Sequence, residues 1–528
     1  MRFHYFLIFL IFLIPVNALT QQKYWVFYTD KNQVQFNPYT YFDEKALERR
    51  ERNNLPLCDV SDFPLNESYL DEVNKLADST GFQSRWLNAQ IVYAGIQQIT
   101  AIQELPFVKE VLAIEPAEPE NAICSVESST EMPLQFQISK SSELMRNQLM
   151  SMEGNLFLDK NITGKGVRIA VFDVGFAHVN DHPAFEHLRG NMRILKTWDF
   201  VKNREDVYAQ GNHGRMVLSN IAGVYKLEMM GLAVDAEFLL ARTEKAVGEP
   251  FSEEENWLAA AEWADKNGAD IINSSLGYTK KRYFVSNMEG KFSLVSKAAA
   301  IAAAKGILVV NAMGNEGQSA WKYLGTPADA DSILSIAGID PVSGIHTSFS
   351  SFGPTADRRR KPNVSAFGHA IVASADSITR SQGTSFSAPL VSGFAACVMQ
   401  IHPDWSNMQV LQAIEHSGSL YPYYDYAHGY GVPQASYFLP QSKPEPVDNF
   451  LFKTENDQLI IEVLESSIQE TNNFLYYHIQ QHGKSWLSRY TVVNVTQSEA
   501  AYIDLKELSP GDVVRVSYQS VMKEYIIK

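Results

Sequence analysis

Four polar side chains stand at the end of a buried apolar run or at the start of a helix. Ile169-Ala170-Val171-Phe172 ends in Asp173. A carboxylate leaving a buried strand is costly unless a partner needs it; alone it reads as a helix cap or turn residue. His213-Gly214 opens a segment whose Met216, Val217, Ile221 and Ala222 suit the buried face of a helix. That puts His213 at a helix N-terminus, which disfavours the protonated ring and keeps the neutral imidazole a general base needs. Gly383-Thr384-Ser385 runs into a helix of small apolar residues, so the Ser385 hydroxyl sits where backbone N–H groups can face an oxyanion. By itself Ser385 would be an N-cap serine. Asn315 follows Gly314 just past the apolar run 308–312, and its amide can supply a further donor to the same cleft.

The elements that must position these groups alternate in type. Short apolar runs at 167–172, 238–241, 270–272, 307–310 and 333–337 read as fully buried strands, with amphipathic helices between them. Ser252 and Glu255 form a capping box that should open one such helix, ending near Gly268. Strand, helix, strand in this order predicts an α/β fold with a parallel sheet covered on both faces. Functional groups are then expected at the carboxyl ends of the strands.

Before this region, 24–28, 84–93 and 108–114 read as strands and 43–52 as a helix. Residues 115–120 are acidic and Pro-rich, and 120–145 read as an exposed linker, a place to be cut. After the linker-like 441–446, alternating runs such as 459–463, 490–495 and 513–518 predict a small β-sandwich. The expected division is 1–18, 19–125, 126–440 and 441–528.

The first of these segments is an address. Arg2, the apolar run 6–16 and the small residues at 16–18 have the form of a signal peptide. The run is shorter than the roughly 20 apolar residues a membrane span takes, so an exported protein is expected. The 528 residues carry 45 basic against 60 acidic groups, a net charge of -15 that disfavours nucleic acid. Cys58, Cys124 and Cys397 are too few for a disulfide scaffold.

The order Asp173, His213, Asn315, Ser385 resembles that of the subtilisin-like serine peptidases. Val171-Phe172-Asp173-Val174-Gly175, His182-Pro183-Ala184-Phe185, Ser274-Ser275-Leu276-Gly277 and Phe349-Ser350-Ser351-Phe352-Gly353-Pro354 resemble further family segments, over roughly 160–440. The match departs at Val174, Arg215, Met216 and Leu390; Arg215 brings a cation near the base. Tyr24-Trp25-Val26-Phe27-Tyr28 and Ser84-Arg85-Trp86-Leu87-Asn88-Ala89 resemble the N-terminal region of secreted Bacteroidota subtilases, and the stretch through Val111 an inhibitor-type propeptide.

The resemblance implies that Ser385 attacks a peptide carbonyl, His213 moves the proton, Asp173 orients His213, and Asn315 steadies the oxyanion. It implies substrate walls at Ser275, Leu276 and Gly277 and at Ala312 and Gly314. It also implies a propeptide that inhibits the enzyme and leaves by self-cleavage between about 119 and 142. No cofactor is expected for the chemistry; structural calcium is compatible with the family, without assignable residues. His178, Asp181, His182, Glu186 and His187 read as a family loop rather than a metal cluster. Arg358-Arg359-Arg360-Lys361 reads as a solvated charge run. The expected partners are peptide substrates, with the chain a monomer. A catalytically silent scaffold and a surface adhesin working through the C-terminal sandwich are the alternatives.

Overall fold

The computed structural model describes residues 22–114, 134–245, 250–280, 282–440, 448–469, 473–495 and 500–528. The signal segment and the proposed linker up to residue 133 lie outside them. Contacts divide the chain into two units, one of residues 1–36 and 59–116, the other of 37–58 and 117–528.

The first unit is an antiparallel sheet of β1 (Gln22–Tyr28), β2 (Ser79–Ser84), β3 (Ala89–Ala94) and β4 (Val108–Ile114), in the order β2-β3-β1-β4. Alternation in Tyr24, Val26 and Tyr28 turns those side chains onto Val73, Val92, Ile99, Ile102 and Phe107, which form the core. The expected single strand over 84–93 is instead a hairpin: Asn88, at φ 51, turns the chain after Arg85, whose carbonyl takes the Asn88 N–H at 3.2 Å. Asn tolerates that left-handed backbone, a signal the alternation concealed.

The second unit includes α1 (Glu44–Arg52) and is built on seven parallel strands. These are β5 (Arg168–Asp173), β6 (Ile194–Asp199), β7 (Glu237–Arg242), β8 (Ile271–Ser274), β9 (Leu308–Ala312), β10 (Leu334–Ile339) and β11 (Val364–Phe367), in the order β11-β10-β9-β8-β5-β7-β6. Five of them were legible as apolar runs. β6 was not, because its burial is partial and Lys196 and Thr197 interrupt it. The chain starts at β5, goes to the edge at β6, returns through β7 and then crosses to β8 on the other side of β5. The switch point therefore lies at the carboxyl end of β5, where an open α/β sheet forms its cleft.

The connecting helices include α2 (His213–Ala222), α3 (Ser252–Lys266), α4 (Leu294–Ala304), α5 (Thr384–Ile401) and α6 (Asn407–His416). α5 is long and apolar enough to cross a membrane, yet 83% of it is buried as the central helix of the core. The capping box at Ser252 does not form. Helix-type turns already start at Pro250, whose carbonyl takes the Glu253 N–H at 3.0 Å, so Ser252 is inside the helix. The second half of the expected linker is also helical, from Leu134 to Met150. Met145 and Leu149, one turn apart, are buried, and Gln148 exchanges hydrogen bonds with Met230 O (2.7 Å) and Ile371 N (2.9 Å).

Residues 448–528 form two facing antiparallel sheets. One pairs 450–455, 458–463 and 500–504; the other pairs 474–480, 487–494, 513–518 and 521–526. Their inward residues, among them Ile461, Leu475, Ile503 and Val516, share one core. The sandwich expected from the pattern is present.

Candidate active site

Asp173 ends β5 with its side chain fully buried. One carboxylate oxygen accepts the Val174 N–H at 2.8 Å, and the two oxygens lie 2.9 and 3.0 Å from His213 Nδ1. An ionised carboxylate only accepts, so Nδ1 carries the proton and Nε2 keeps its lone pair. The loops bearing the two residues touch backbone to backbone. Gly175 has φ +143, and a Cβ there would lie 2.0 Å from Gln210 O. Any side chain at 175 would collide with the backbone of the loop that leads to His213.

Ser385 occupies the first turn of α5, after Gly383 at φ +138. Its hydroxyl donates to Ser275 O at 3.3 Å, while Ser275 Oγ donates to Ser385 O at 2.9 Å. The reciprocal pair ties the segment after β8 to the head of α5. The His213 ring lies 5.7 Å from the Phe386 ring, centroid to centroid, beside that same turn. Asp173 and His213 thus meet from β5 and α2, beside the turn of α5 that carries Ser385.

Asn315 follows Gly314, which takes φ +104 past the end of β9. The Thr384 N–H and hydroxyl both donate to Asn315 Oδ1, at 2.9 and 3.0 Å, and the Thr384 oxygen accepts from Gly314 N at 3.2 Å. Two donors fix which end of the amide is oxygen and leave Nδ2 as its donor end. Thr384 was not singled out in the sequence. Its place between Gly383 and Ser385 was visible, but its partner is 69 residues away.

The expected substrate walls lie at the mouths of β8 and β9. Ser275 and Leu276 are nearly buried while Gly277 is exposed, and Leu276 O accepts from Asn311 Nδ2 at 3.1 Å. Ala312 is 4% exposed, and Met313 beside it points into a small core with Leu324 and Ala328.

Arg215 is buried, and its guanidinium donates to Ala177 O (2.8 Å) and Ala373 O (3.3 Å). It stitches the loop after β5 to the hairpin 369–382. Both nitrogens of His182 meet the chain: Nδ1 accepts from Ala184 N and Nε2 faces Ser377 O, each at 3.0 Å. Among the described residues no group of three His, Cys, Asp or Glu is placed to hold a metal. The run 358–361 is only half solvated, against expectation. Arg358 and Arg360 are exposed, but Lys361 is 2% exposed and donates to Ile333 O at 2.7 Å and Asn363 Oδ1 at 3.1 Å. A carbonyl and an amide close at hand replace its water.

Residues 164–431 match the model of the subtilase family, and residues 23–129 match that of the peptidase S8 propeptide domain of Bacteroidota. Over 264 residues the chain is 28% identical to a thermostable alkaline protease of Halalkalibacterium halodurans, covering 49% of this chain and 64% of that protein. Over 259 residues it is 30% identical to subtilisin E of Bacillus subtilis, covering 48% and 60%. The match therefore spans less than two thirds of the length of these relatives. A solved structure described as proteases from Pseudoalteromonas arctica aligns at TM-score 0.43 and 20% identity, covering 56% of this chain and 96% of that one.

Proposed function

The chain belongs to the subtilase family, and from that premise we propose that it is an exported serine endopeptidase, made as a zymogen that processes itself. The observation that carries the reading is the buried Asp173 carboxylate on His213 Nδ1, at the switch point of the sheet and beside the first turn of α5.

In this reading the substrate strand lies between Ser275–Gly277 and Ala312–Gly314. Ser385 Oγ leaves its contact with Ser275 O and attacks the scissile carbonyl carbon as His213 Nε2 takes its proton. Asp173 holds the tautomer and steadies the imidazolium without taking the proton itself. The negative oxygen of the tetrahedral intermediate meets Asn315 Nδ2 and backbone N–H groups at the head of α5, where the helix dipole also favours it. His213 then gives the proton to the leaving amine, and water repeats the sequence to free the acyl group from Ser385. None of these steps needs a cofactor; structural calcium remains an expectation without assigned residues.

The propeptide match supports an inhibitor segment that self-cleavage removes. The signal-like start and the secreted Bacteroidota resemblance support export. The test is self-processing. Wild type and Ser385→Ala, both lacking the signal segment, are purified and weighed intact. The reading expects a wild type shortened at its N-terminus beside a full-length mutant. Two full-length proteins would turn the assignment toward a silent scaffold.

A further inference from the structure

Helix α1 lies inside the stretch that matches the propeptide model, yet residues 37–58 pack as part of the body that holds the parallel sheet. The helix buries Ala46, Arg49 and Arg50. Arg49 is fully buried and Arg50 is 2% exposed. Both meet Asp265, itself 1% exposed, on the last turn of α3: Arg49 pairs with one carboxylate oxygen and Arg50 with the other at 2.8 Å. Arg49 also donates to the carbonyls of Ala269 and Lys305. Arg52 pairs with Asp270 at 2.7 Å, and Lys45 with the same carboxylate at 3.4 Å. Asp43 N–H donates to Lys266 O at 2.9 Å, and Asn53 Oδ1 accepts from Asn407 N at 3.0 Å. Gly306, at φ +86, lets Asn53 approach so closely that a Cβ there would stand 2.6 Å from Nδ2.

The chemistry of the seat matches its occupant. Lys266 ends α3 and Lys305 caps α4, where the negative end of each helix dipole favours cations. Burying a guanidinium is costly unless a carboxylate and further acceptors face it, and here the Ala269 and Lys305 carbonyls and Asp265 do so. The seat is also remote from the candidate active site. Residues 266–270 lead into β8, 305–306 lead into β9, and Arg168 begins β5. Asp173, Ser275 and Asn315 follow the opposite, carboxyl ends of those strands.

We propose that residues 37–58 are an anchor that stays seated on the protease body after the chain between the propeptide-like unit and the sheet is cut. A single cut then yields two chains that remain together, and the N-terminal unit, which flanks the anchor on both sides, leaves only after two further cuts, one on each side of it. The proposal goes beyond the zymogen reading and borrows from it only that a cut occurs.

The test removes that dependence. Ser385→Ala protein receives recognition sites for a sequence-specific protease between Gln35 and Phe36, between Cys58 and Asp59, and within 117–130. After digestion, gel filtration and mass spectrometry follow the excised peptide. It is expected to travel with the protease body in equal amount. Arg52→Ala is expected to speed its loss at least fivefold, and the pair Arg49→Leu and Arg50→Leu to abolish retention. An excised peptide that elutes apart from a folded body overturns the proposal. If the insertions or the arginine pair prevent folding, hydrogen exchange on uncut Ser385→Ala decides: the amides of α1 should be as protected as those of β8, and exchange at loop rates overturns the anchor. A wild type that fails to process itself would count against the proposed function and leave either result standing.

Discussion

In the proposed reading, Asn315 acts on the substrate and Thr384, which holds its Oδ1 with two hydrogen bonds, aims it. Asn315→Ala removes the side-chain donor, and kcat is expected to fall about 10²–10³-fold, the usual cost of one oxyanion donor, with KM little changed. Thr384→Val keeps the shape but removes one of two hydrogen bonds to Asn315 Oδ1, together with the acceptor of the Gly314 N–H that precedes Asn315. A net hydrogen bond is worth about 1 kcal/mol, so kcat should drop about fivefold, with no further loss when Asn315 is already Ala. Additive losses in the double mutant would show that Thr384 acts by another route. Asp173→Asn keeps the volume but offers an amide to Nδ1; the wrong tautomer should cost about 10⁴ in kcat with the fold intact. Steady-state kinetics on a peptide substrate, with circular dichroism beside it, checks all three.

At the scale of elements, the C-terminal sandwich is tied to the protease body through aromatic and imidazole groups. His478 Nδ1 donates to Tyr424 O at 2.7 Å, its ring stacks on Tyr423 at 5.0 Å, and Tyr476 faces His428 at 5.3 Å. Tyr423 and Tyr424 are nearly fully buried. Burial, aided by Arg515, holds His478 at about 4; burial, aided by His428, does the same to His346 on the adjoining loop. Unfolded imidazoles take up protons below about 6.5, while these two refuse them until about pH 4. The unfolded chain then binds more protons, so stability falls as pH drops from 6.5 to 4 and is fully present above that window. Melting curves across the range should show the decline, and His478→Gln should flatten part of it; an unchanged slope would remove the junction from the explanation. Deleting 441–528 should lower the melting temperature and expose Tyr423 and Tyr424, which separates a supporting sandwich from an independent adhesin.

Across the whole molecule, the sequence disclosed what is local and withheld what is long-range. Apolar runs without alternation announced the buried strands, and Asp173, His213, Asn315 and Ser385 were visible because each stands at the end of such a run or the start of a helix. The Asn88 turn, the helix from Leu134 and the early start of α3 were hidden. Each is decided by one backbone angle or by a distant partner, as Gln148 is by Ile371. The sequence marks 43–52 as a helix, but nothing nearby in the chain announces that Asp265, the partner of Arg49, waits 216 residues on. In the proposed reading one serine in this acidic chain is a nucleophile primed by His213 and Asp173. The most direct measurement is reaction with a serine-directed phosphonate, followed by intact mass and peptide mapping. A single adduct on Ser385, absent in Ser385→Ala and strongly slowed in His213→Ala, is the predicted result. A folded wild type that takes no adduct, or takes it equally without His213, would contradict it.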